Sequence, residues 1–67
     1  MNVPKLKGKI VESQTTIQDL AEAMKIDRGT LYRRLANDGK DFTLDEILKM
    51  KEILHLEISE VVSIFFA

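Results

Sequence analysis

Apolar positions along the 67 residues recur at helical spacing, whereas the alternation typical of strands never persists. The pattern predicts five short helices, at Pro4 to Ser13, Ile17 to Met24, Arg28 to about Asn37, from Thr43 onwards, and at Ile58 to Phe66. No internal repeat, low-complexity stretch or linker interrupts the chain. We therefore expect one compact all-α domain over residues 1–67.

Side chains that can accept hydrogen bonds from free backbone amides precede three of these helices. Thr16 stands before the second helix and is expected to cap it. Asp27 stands before the third helix, where it is expected to bind an amide near Thr30. Thr43 and Glu46 have the spacing of a full capping box at the start of the fourth helix.

The last two helices carry apolar stripes that are expected to face the core. These stripes comprise Leu44, Ile47, Leu48 and Leu54 on the fourth helix and Ile58, Val61, Val62 and Phe65 on the fifth. Ile53, Ile64 and Phe66 fall outside the stripes, and we interpret them as candidate contacts in a dimer. Gly8 costs about 1 kcal/mol relative to alanine inside a helix, so its presence predicts close packing against another helix.

The composition excludes several classes of function. Apolar residues make up 45% and charged residues 31%, which is typical of a globular domain. The absence of cysteine excludes disulfides, thiolate metal sites and cysteine nucleophiles, and it fits a reducing, cytoplasmic setting. The longest apolar run, Ile64 to Ala67, is too short to span a membrane, and the start has no secretory signal.

Catalytic chemistry is also not indicated. The single histidine, His55, has no cysteine or second histidine with which to hold a metal. There is no glycine-rich phosphate loop and no plausible triad. We therefore expect no enzymatic activity, no cofactor and no metal, and no small-molecule effector is evident.

The net charge of −1 hides a strongly uneven distribution. Residues 1–40 hold eight basic and five acidic side chains, for +3, and residues 41–67 hold two basic and six acidic ones, for −4. The basic half includes three arginines in the predicted third helix. A nucleic-acid partner is therefore compatible with the low total charge.

Residues 16–35 have the spacing of a helix-turn-helix, with two short helices separated by three residues. Ala21 is a small residue where the second of these helices would cross the first, and Ile26 is placed to fill the gap at the turn. The residues expected to pack inside the motif are Leu20, Ala21, Met24, Ile26, Leu31 and Leu35. The outer face of the third helix would then be free to enter the major groove.

This arrangement resembles the lambda repressor-like, or XRE-type, family of phage and bacterial regulators. The stretch from Leu20 to Met24, followed by the stretch from Ile26 to Leu35, is close to the family pattern. The resemblance covers nearly the whole chain, because family members have five short helices with the motif formed by the second and third. It implies a DNA-binding domain that acts as a phage- or prophage-type repressor or a Cro-like regulator.

The resemblance also implies which residues contact DNA. Its base-reading positions fall on Arg28, Gly29, Thr30, Tyr32 and Arg33. Arginine is the commonest bidentate partner of guanine O6 and N7, so Arg28 and Arg33 are expected to carry most of the specificity. The absence of a side chain at Gly29 would let the backbone approach DNA closely.

Phosphate contacts are implied around the motif. Thr16 and the amides at the start of the second helix, near Gln18, resemble the phosphate clamp of the family. Lys40 follows the third helix and could reach the DNA backbone. Arg34 occupies a position that is often apolar in the family, and we assign it to a phosphate contact or to a surface ion pair.

The chain departs from the family at two other positions. The family often has glutamine at the first position of the second helix, where it braces a base-reading residue; here Ile17 occupies that position and Gln18 follows. The turn usually contains glycine where this chain has Lys25. A left-handed lysine there would cost about 1–2 kcal/mol.

Two hypotheses for the partner follow. In the first, duplex DNA with a palindromic operator binds a weak homodimer, because one recognition helix reads only a few base pairs. In the second, the fold is a protein-interaction module, such as an antirepressor, an antitoxin-type docking unit or an adaptor. The acidic half, with Asp45, Glu46, Glu52, Glu57 and Glu60, and the apolar C-terminal end support the second hypothesis.

Overall fold

A computed structural model describes residues 1–66 and folds them into five α-helices, with no strand among these residues. The helices are α1 (Val3–Glu12), α2 (Ile17–Met24), α3 (Arg28–Ala36), α4 (Leu44–Ile53) and α5 (Ile58–Phe65). The prediction of an all-α, five-helix fold is confirmed, and every helix end that was predicted lies within one residue of the observed end; no end was predicted for the C-terminus of α4. No helix in this part of the chain is long and apolar enough to cross a membrane.

Three helices start at the capping side chains predicted for them. The Thr16 hydroxyl accepts a hydrogen bond from the Asp19 amide at 3.0 Å, and Thr43 and Glu46 form both bonds of the capping box. Asp27 caps α3 as predicted and accepts from the Gly29 amide, next to Thr30, at 2.8 Å. An aspartate carboxylate is short and commonly binds the amide two residues further on.

The core is built around one fully buried side chain from each helix. These residues are Leu6, Leu20, Leu31, Met50 and Ile64. Burial of a side chain of this size contributes about 1.5–3 kcal/mol relative to its exposure. Around this centre α2 packs against α3 and α4, and α5 packs against α1 and α4.

The predicted apolar stripe of α4 is only partly correct. Ile47 and Leu54 are buried as predicted, and Met50 is buried with them. Leu44 and Leu48 are exposed, so their assignment to the core is wrong. The helix is rotated so that its Met50 side faces inward, where the long methionine side chain reaches the centre of the domain.

The predicted apolar stripe of α5 is also only partly correct. Val61 and Phe65 are buried as predicted, whereas Ile58 and Val62 are exposed. Ile64 is fully buried, so the prediction that it contacts a second copy is wrong. The sequence of α5 offers two overlapping apolar faces, and packing against α1 and α4 selects the face that contains Ile64.

Polar contacts join α1 to the side of α5 that flanks the core. The Lys5 ammonium donates to the Ser63 hydroxyl at 2.7 Å. Lys9 forms ion pairs with Glu60 on α5 and, at 3.5 Å, with Glu12 on its own helix. Two of the basic side chains in the N-terminal half therefore have partners within the domain.

Gly8 faces open space. No heavy atom beyond the glycine's own neighbourhood lies within 4 Å of the position that a Cβ would occupy. The prediction of close packing against another helix at Gly8 is therefore wrong. The residue lies on the exposed face of α1, where its only structural effect is the backbone freedom that glycine adds.

Replacement of Gly8 by alanine should increase the free energy of unfolding by about 0.5–1 kcal/mol, because alanine loses less backbone entropy in a helix and meets no neighbour. Urea denaturation followed by circular dichroism would measure the change. Gly39→Ala is the matched control: Gly39 has φ +71 and the Met1 side chain occupies the space of its Cβ, so this variant should be destabilised. A loss of stability in Gly8→Ala would contradict the exposed position of Gly8.

Candidate nucleic-acid interface

The turn between α2 and α3 is closed by backbone hydrogen bonds. Lys25 adopts the left-handed conformation, with φ 59 and ψ 38, at the position where the lambda repressor-like family usually has glycine. Its amide donates to the Glu22 carbonyl at 3.0 Å, and the Ile26 amide donates to the Ala21 carbonyl at 3.0 Å. These bonds satisfy carbonyls at the end of α2 and turn the chain sharply into α3.

The residues that were expected to pack α2 against α3 lie in the core. Leu20, Ala21, Met24, Leu31 and Leu35 are buried, and Ile26 is half-buried against them. Ala21 has almost no exposed surface, as expected for a small residue where two helices approach closely. These contacts hold α3 by its inner face and leave its opposite face in solvent.

The exposed face of α3 carries most of the predicted base-reading side chains. Arg28, Gly29, Tyr32 and Arg33 are exposed, and Thr30 is half-buried. The Arg33 guanidinium lies 3.3 Å from the Thr30 hydroxyl, to which it donates a hydrogen bond. Four of the five predicted positions are therefore accessible to solvent, and Thr30 lies at the edge of the exposed surface.

Gln18 connects α2 to the first residue of α3. Its side-chain oxygen accepts a hydrogen bond from the Arg28 guanidinium at 3.2 Å. Ile17, one residue earlier, is half-buried and packs against the core. Gln18 is therefore placed to orient Arg28, although it stands one position later than the glutamine that braces a base-reading residue in the lambda repressor-like family.

Arg34 has a different environment from the other two arginines of α3. It forms an ion pair with Glu46 on α4, and its guanidinium lies 5.8 Å from the centroid of the Phe42 ring. Both charged side chains are largely shielded from solvent. Arg34 thus joins α3 to α4, which agrees with the ion-pair alternative predicted for this residue, while its phosphate contact stays a prediction.

The ionisation of Glu46 reflects its contact with Arg34. Burial opposes ionisation of the carboxyl group, but hydrogen bonds from Arg34 and from the Thr43 amide, together with the charge of Arg34, lower the pKa of Glu46 below 4.5. In residues 1–66, Arg34 is the one arginine that forms an ion pair with a carboxylate. Arg28 and Arg33 therefore present unneutralised charges to solvent.

The other predicted DNA contacts lie beside this face or just beyond it. Thr16 and Tyr32 both line a shallow, mainly apolar groove of about 370 Å³, together with Lys7 of α1. Lys40 is exposed in the loop between α3 and α4. A hydrogen bond of 3.2 Å from the Asn37 amide group to Asp41 supports that loop.

The carboxylates of the acidic half, residues 41–67, are less available to a binding partner than the net charge of −4 suggests. Glu46 and Glu60 are half-buried, and each forms an ion pair with a basic residue of the N-terminal half. The Glu57 amide and the Lys9 ammonium both donate to the Glu60 carboxylate and lower its pKa. Within residues 1–66, no group of three side chains could hold a metal ion.

Comparison with known proteins gives one family match. The model of a family described as "Protein of unknown function (DUF739)" matches residues 1–67, which is the full length of the chain. No curated protein and no solved structure matches the chain. The family description states no activity, so the function has to be inferred from the residues and their geometry.

Replacement of Glu46 by glutamine should lower the free energy of unfolding by about 1 kcal/mol at neutral pH, because Arg34 loses its charged partner in a shielded position. The low pKa of Glu46 means that the ionised group stabilises the fold above about pH 4.5, and that this contribution is lost as the pH falls through its lower folded pKa. The difference between wild type and variant should therefore shrink in acid.

Urea denaturation at several pH values would measure this difference. Glu52→Gln is the matched control, because Glu52 lies exposed on the same helix and forms no ion pair within the described residues. It should leave stability nearly unchanged across the same pH range. Equal effects of the two substitutions would contradict the role assigned to Glu46.

Proposed function

The chain belongs to the DUF739 family of proteins of unknown function, and we propose that it binds duplex DNA sequence-specifically as a small transcriptional regulator. In this proposal α2 and α3 form a helix-turn-helix of the lambda repressor-like type, and α3 enters the major groove. The biological role would be that of a phage- or prophage-type repressor or a Cro-like regulator.

The observation that carries the proposal is the contrast among the three arginines of α3. Arg34 is paired with Glu46, whereas Arg28 and Arg33 are exposed on the outer side of the helix with no carboxylate partner in residues 1–66. Guanidinium groups in this position can donate two parallel hydrogen bonds to guanine O6 and N7. The same groups would also attract the phosphate backbone.

The contact between Gln18 and Arg28 supports base reading rather than general attraction to DNA. A long arginine side chain loses conformational freedom when it binds. The hydrogen bond from Arg28 to Gln18 restricts the guanidinium before any DNA arrives. A side chain held in advance favours a defined geometry over a diffuse electrostatic contact.

Gly29 has a local structural explanation that is compatible with DNA binding. A Cβ at this position would lie 2.9 Å from the Asp27 carboxylate, which caps α3 through the Gly29 amide. Glycine therefore leaves room for the cap. It also removes a side chain from the start of α3, where a close approach to DNA is proposed.

The charge distribution is consistent with one DNA-facing side. The N-terminal half carries +3 and contains α2 and α3, and the C-terminal half carries −4. Such an arrangement orients a domain in the field of DNA while its total charge stays near neutral. Thr16 and Lys40 would contact phosphates on either side of the recognition helix.

Two copies are proposed to act together on a palindromic operator. One α3 reads only a few base pairs, and half-sites for paired domains of this type are about 34–36 Å apart. The domain measures 27 × 24 × 21 Å between its extremes. Because the longest of these dimensions is shorter than the half-site spacing, two copies can lie side by side without overlap.

The substitutions Arg28→Ala and Arg33→Ala should each cost about 1–3 kcal/mol of binding free energy on the preferred DNA site. Each should also relax the preference for one base at one position of that site. Selection from random duplex DNA would supply that site, and titrations on preferred and scrambled duplexes would measure the loss. Lys40→Ala should weaken binding to both duplexes about equally. Equal effects of all three substitutions on both duplexes would contradict the assignment of base readers.

Binding should also weaken steeply as salt is raised, because each neutralised phosphate releases counterions. A gel-shift titration at two salt concentrations measures this dependence. Lys49→Ala is the control for loss of a positive charge away from the proposed DNA contacts, because Lys49 is exposed on α4 in the acidic half and is assigned no DNA contact. Absence of a shift even at low salt would favour the alternative of a protein-interaction module.

A further inference from the structure

The shallow groove of about 370 Å³ lies between α1 and the two helices of the motif. Its lining includes Lys7 and Val11 of α1, Thr16 and Ile17 at the start of α2, and Tyr32 of α3. We call it the α1 groove. Val11 is 75% exposed and Tyr32 is 52% exposed, so the rim of the groove is open to a partner.

The three lysines of α1 have different surroundings. Lys5 donates a hydrogen bond to Ser63 of α5, and Lys9 forms an ion pair with Glu60 of the same helix. Lys7 forms no ion pair within residues 1–66 and lines the α1 groove instead. Lys7 is therefore the lysine of α1 that offers its charge on the side of α3.

The charge of the α1 groove differs from that of a second cleft on the opposite side of α1. The second cleft, of about 450 Å³, is lined by Lys9 and by three carboxylates, those of Glu12, Glu57 and Glu60. Among the described residues, no carboxylate lines the α1 groove. An anion in the α1 groove would therefore meet the ammonium of Lys7 without repulsion from the walls.

We propose that the α1 groove seats one sugar–phosphate unit of the DNA backbone beside the bases that α3 reads. Lys7 and Thr16 would contact the phosphate, and the apolar walls would contact the deoxyribose. The inference rests on the proposed function, because it takes duplex DNA as the partner. It deepens that function by assigning Lys7 to the interface and by giving the groove a preference for the sugar of DNA.

The lining of the groove matches both parts of a backbone unit. The Thr16 hydroxyl accepts from the Asp19 amide, and its own proton remains available for a phosphate oxygen. Val11, Ile17 and the ring of Tyr32 supply apolar surface for the sugar. This surface offers little to a 2′-hydroxyl, so a ribose in the same place would lose hydrogen bonds to water without replacement.

The groove is continuous with the proposed recognition surface. Tyr32 belongs to both, because it occupies a predicted base-reading position and also lines the groove. At 100° per residue, Tyr32 and Arg33 lie side by side on the surface of α3. A DNA strand at the edge of the major groove that holds α3 would therefore pass over the α1 groove.

Comparison of two lysine variants tests the phosphate contact. Lys7→Ala should lower the slope of the logarithm of affinity against the logarithm of salt concentration by about 0.9. Lys5→Ala is the matched control, because it removes the same charge from the other side of α1, and it should leave the slope nearly unchanged. Thermal unfolding would verify that both variants remain folded.

A scan of the duplex that the wild type selects would locate the contact. Each phosphate in turn is replaced by a neutral methylphosphonate, and the affinity of the wild type and of Lys7→Ala is measured. One substitution outside the bases read by α3 should weaken the wild type by about two- to fivefold. The same substitution should have little effect on Lys7→Ala, because the ammonium that binds this phosphate is absent.

A single ribonucleotide at that position tests the sugar contact. It should weaken binding of the wild type by about two- to tenfold, because its hydroxyl meets an apolar wall. Val11→Thr should reduce this loss, since threonine keeps the shape of valine and adds a hydrogen-bonding partner. A ribonucleotide elsewhere in the duplex is the control for changes in DNA geometry.

Equal salt dependence of Lys7→Ala and Lys5→Ala on the selected duplex would overturn the groove as a DNA contact and leave the proposed function intact. A scan in which no methylphosphonate distinguishes the wild type from Lys7→Ala would favour another occupant, such as a protein segment. Duplex binding without sequence preference, with a slope that still depends on Lys7, would refute only the proposed regulator. A wild type that binds no duplex at low salt would refute both.

Discussion

The meeting of five side chains, one from each helix, is the constraint on which the rest of the structure depends. Leu6, Leu20, Leu31, Met50 and Ile64 are all fully buried. A chain of 67 residues with no disulfide buries only about 60% of the surface that its unfolded form exposes. Each helix is therefore rotated to bring one of these residues inward, and that rotation decides which side chains remain outside.

The arginines of α3 show how this constraint produces a candidate site. Burial of Leu31 and Leu35 turns Arg28 and Arg33 outward, whereas Arg34 lies at the edge of the core beside Glu46 and Phe42. Three residues of the same type thus receive two roles from their environment. Arg34 links α3 to α4 through its ion pair with Glu46, and the other two keep their charges available for a partner.

Two positions at which the chain differs from the lambda repressor-like family have local physical explanations. Lys25 accepts a left-handed conformation that costs about 1–2 kcal/mol, and the hydrogen bonds of the turn and the burial on either side of it offset this cost. Ile17 packs against the core, so the next residue, Gln18, is the one that reaches Arg28. A glutamine therefore contacts the first arginine of α3, one position later than the bracing glutamine of the lambda repressor-like family.

The sequence by itself determined the helices and most of their starts, because capping and helical periodicity act between residues a few positions apart. It also determined the packing residues of α2 and α3, whose apolar positions form a single narrow stripe. The DNA-binding role of these helices is a prediction that rests on resemblance and on exposed charge. Only the tertiary structure decided that Ile64 is buried and Val62 exposed. The sequence of α5 offers two overlapping apolar faces, and the helices that pack against α5 determine which of the two is buried. It likewise decided the partner of Arg34, because Glu46 is 12 residues away and reaches it only after α3 and α4 have packed around the shared core.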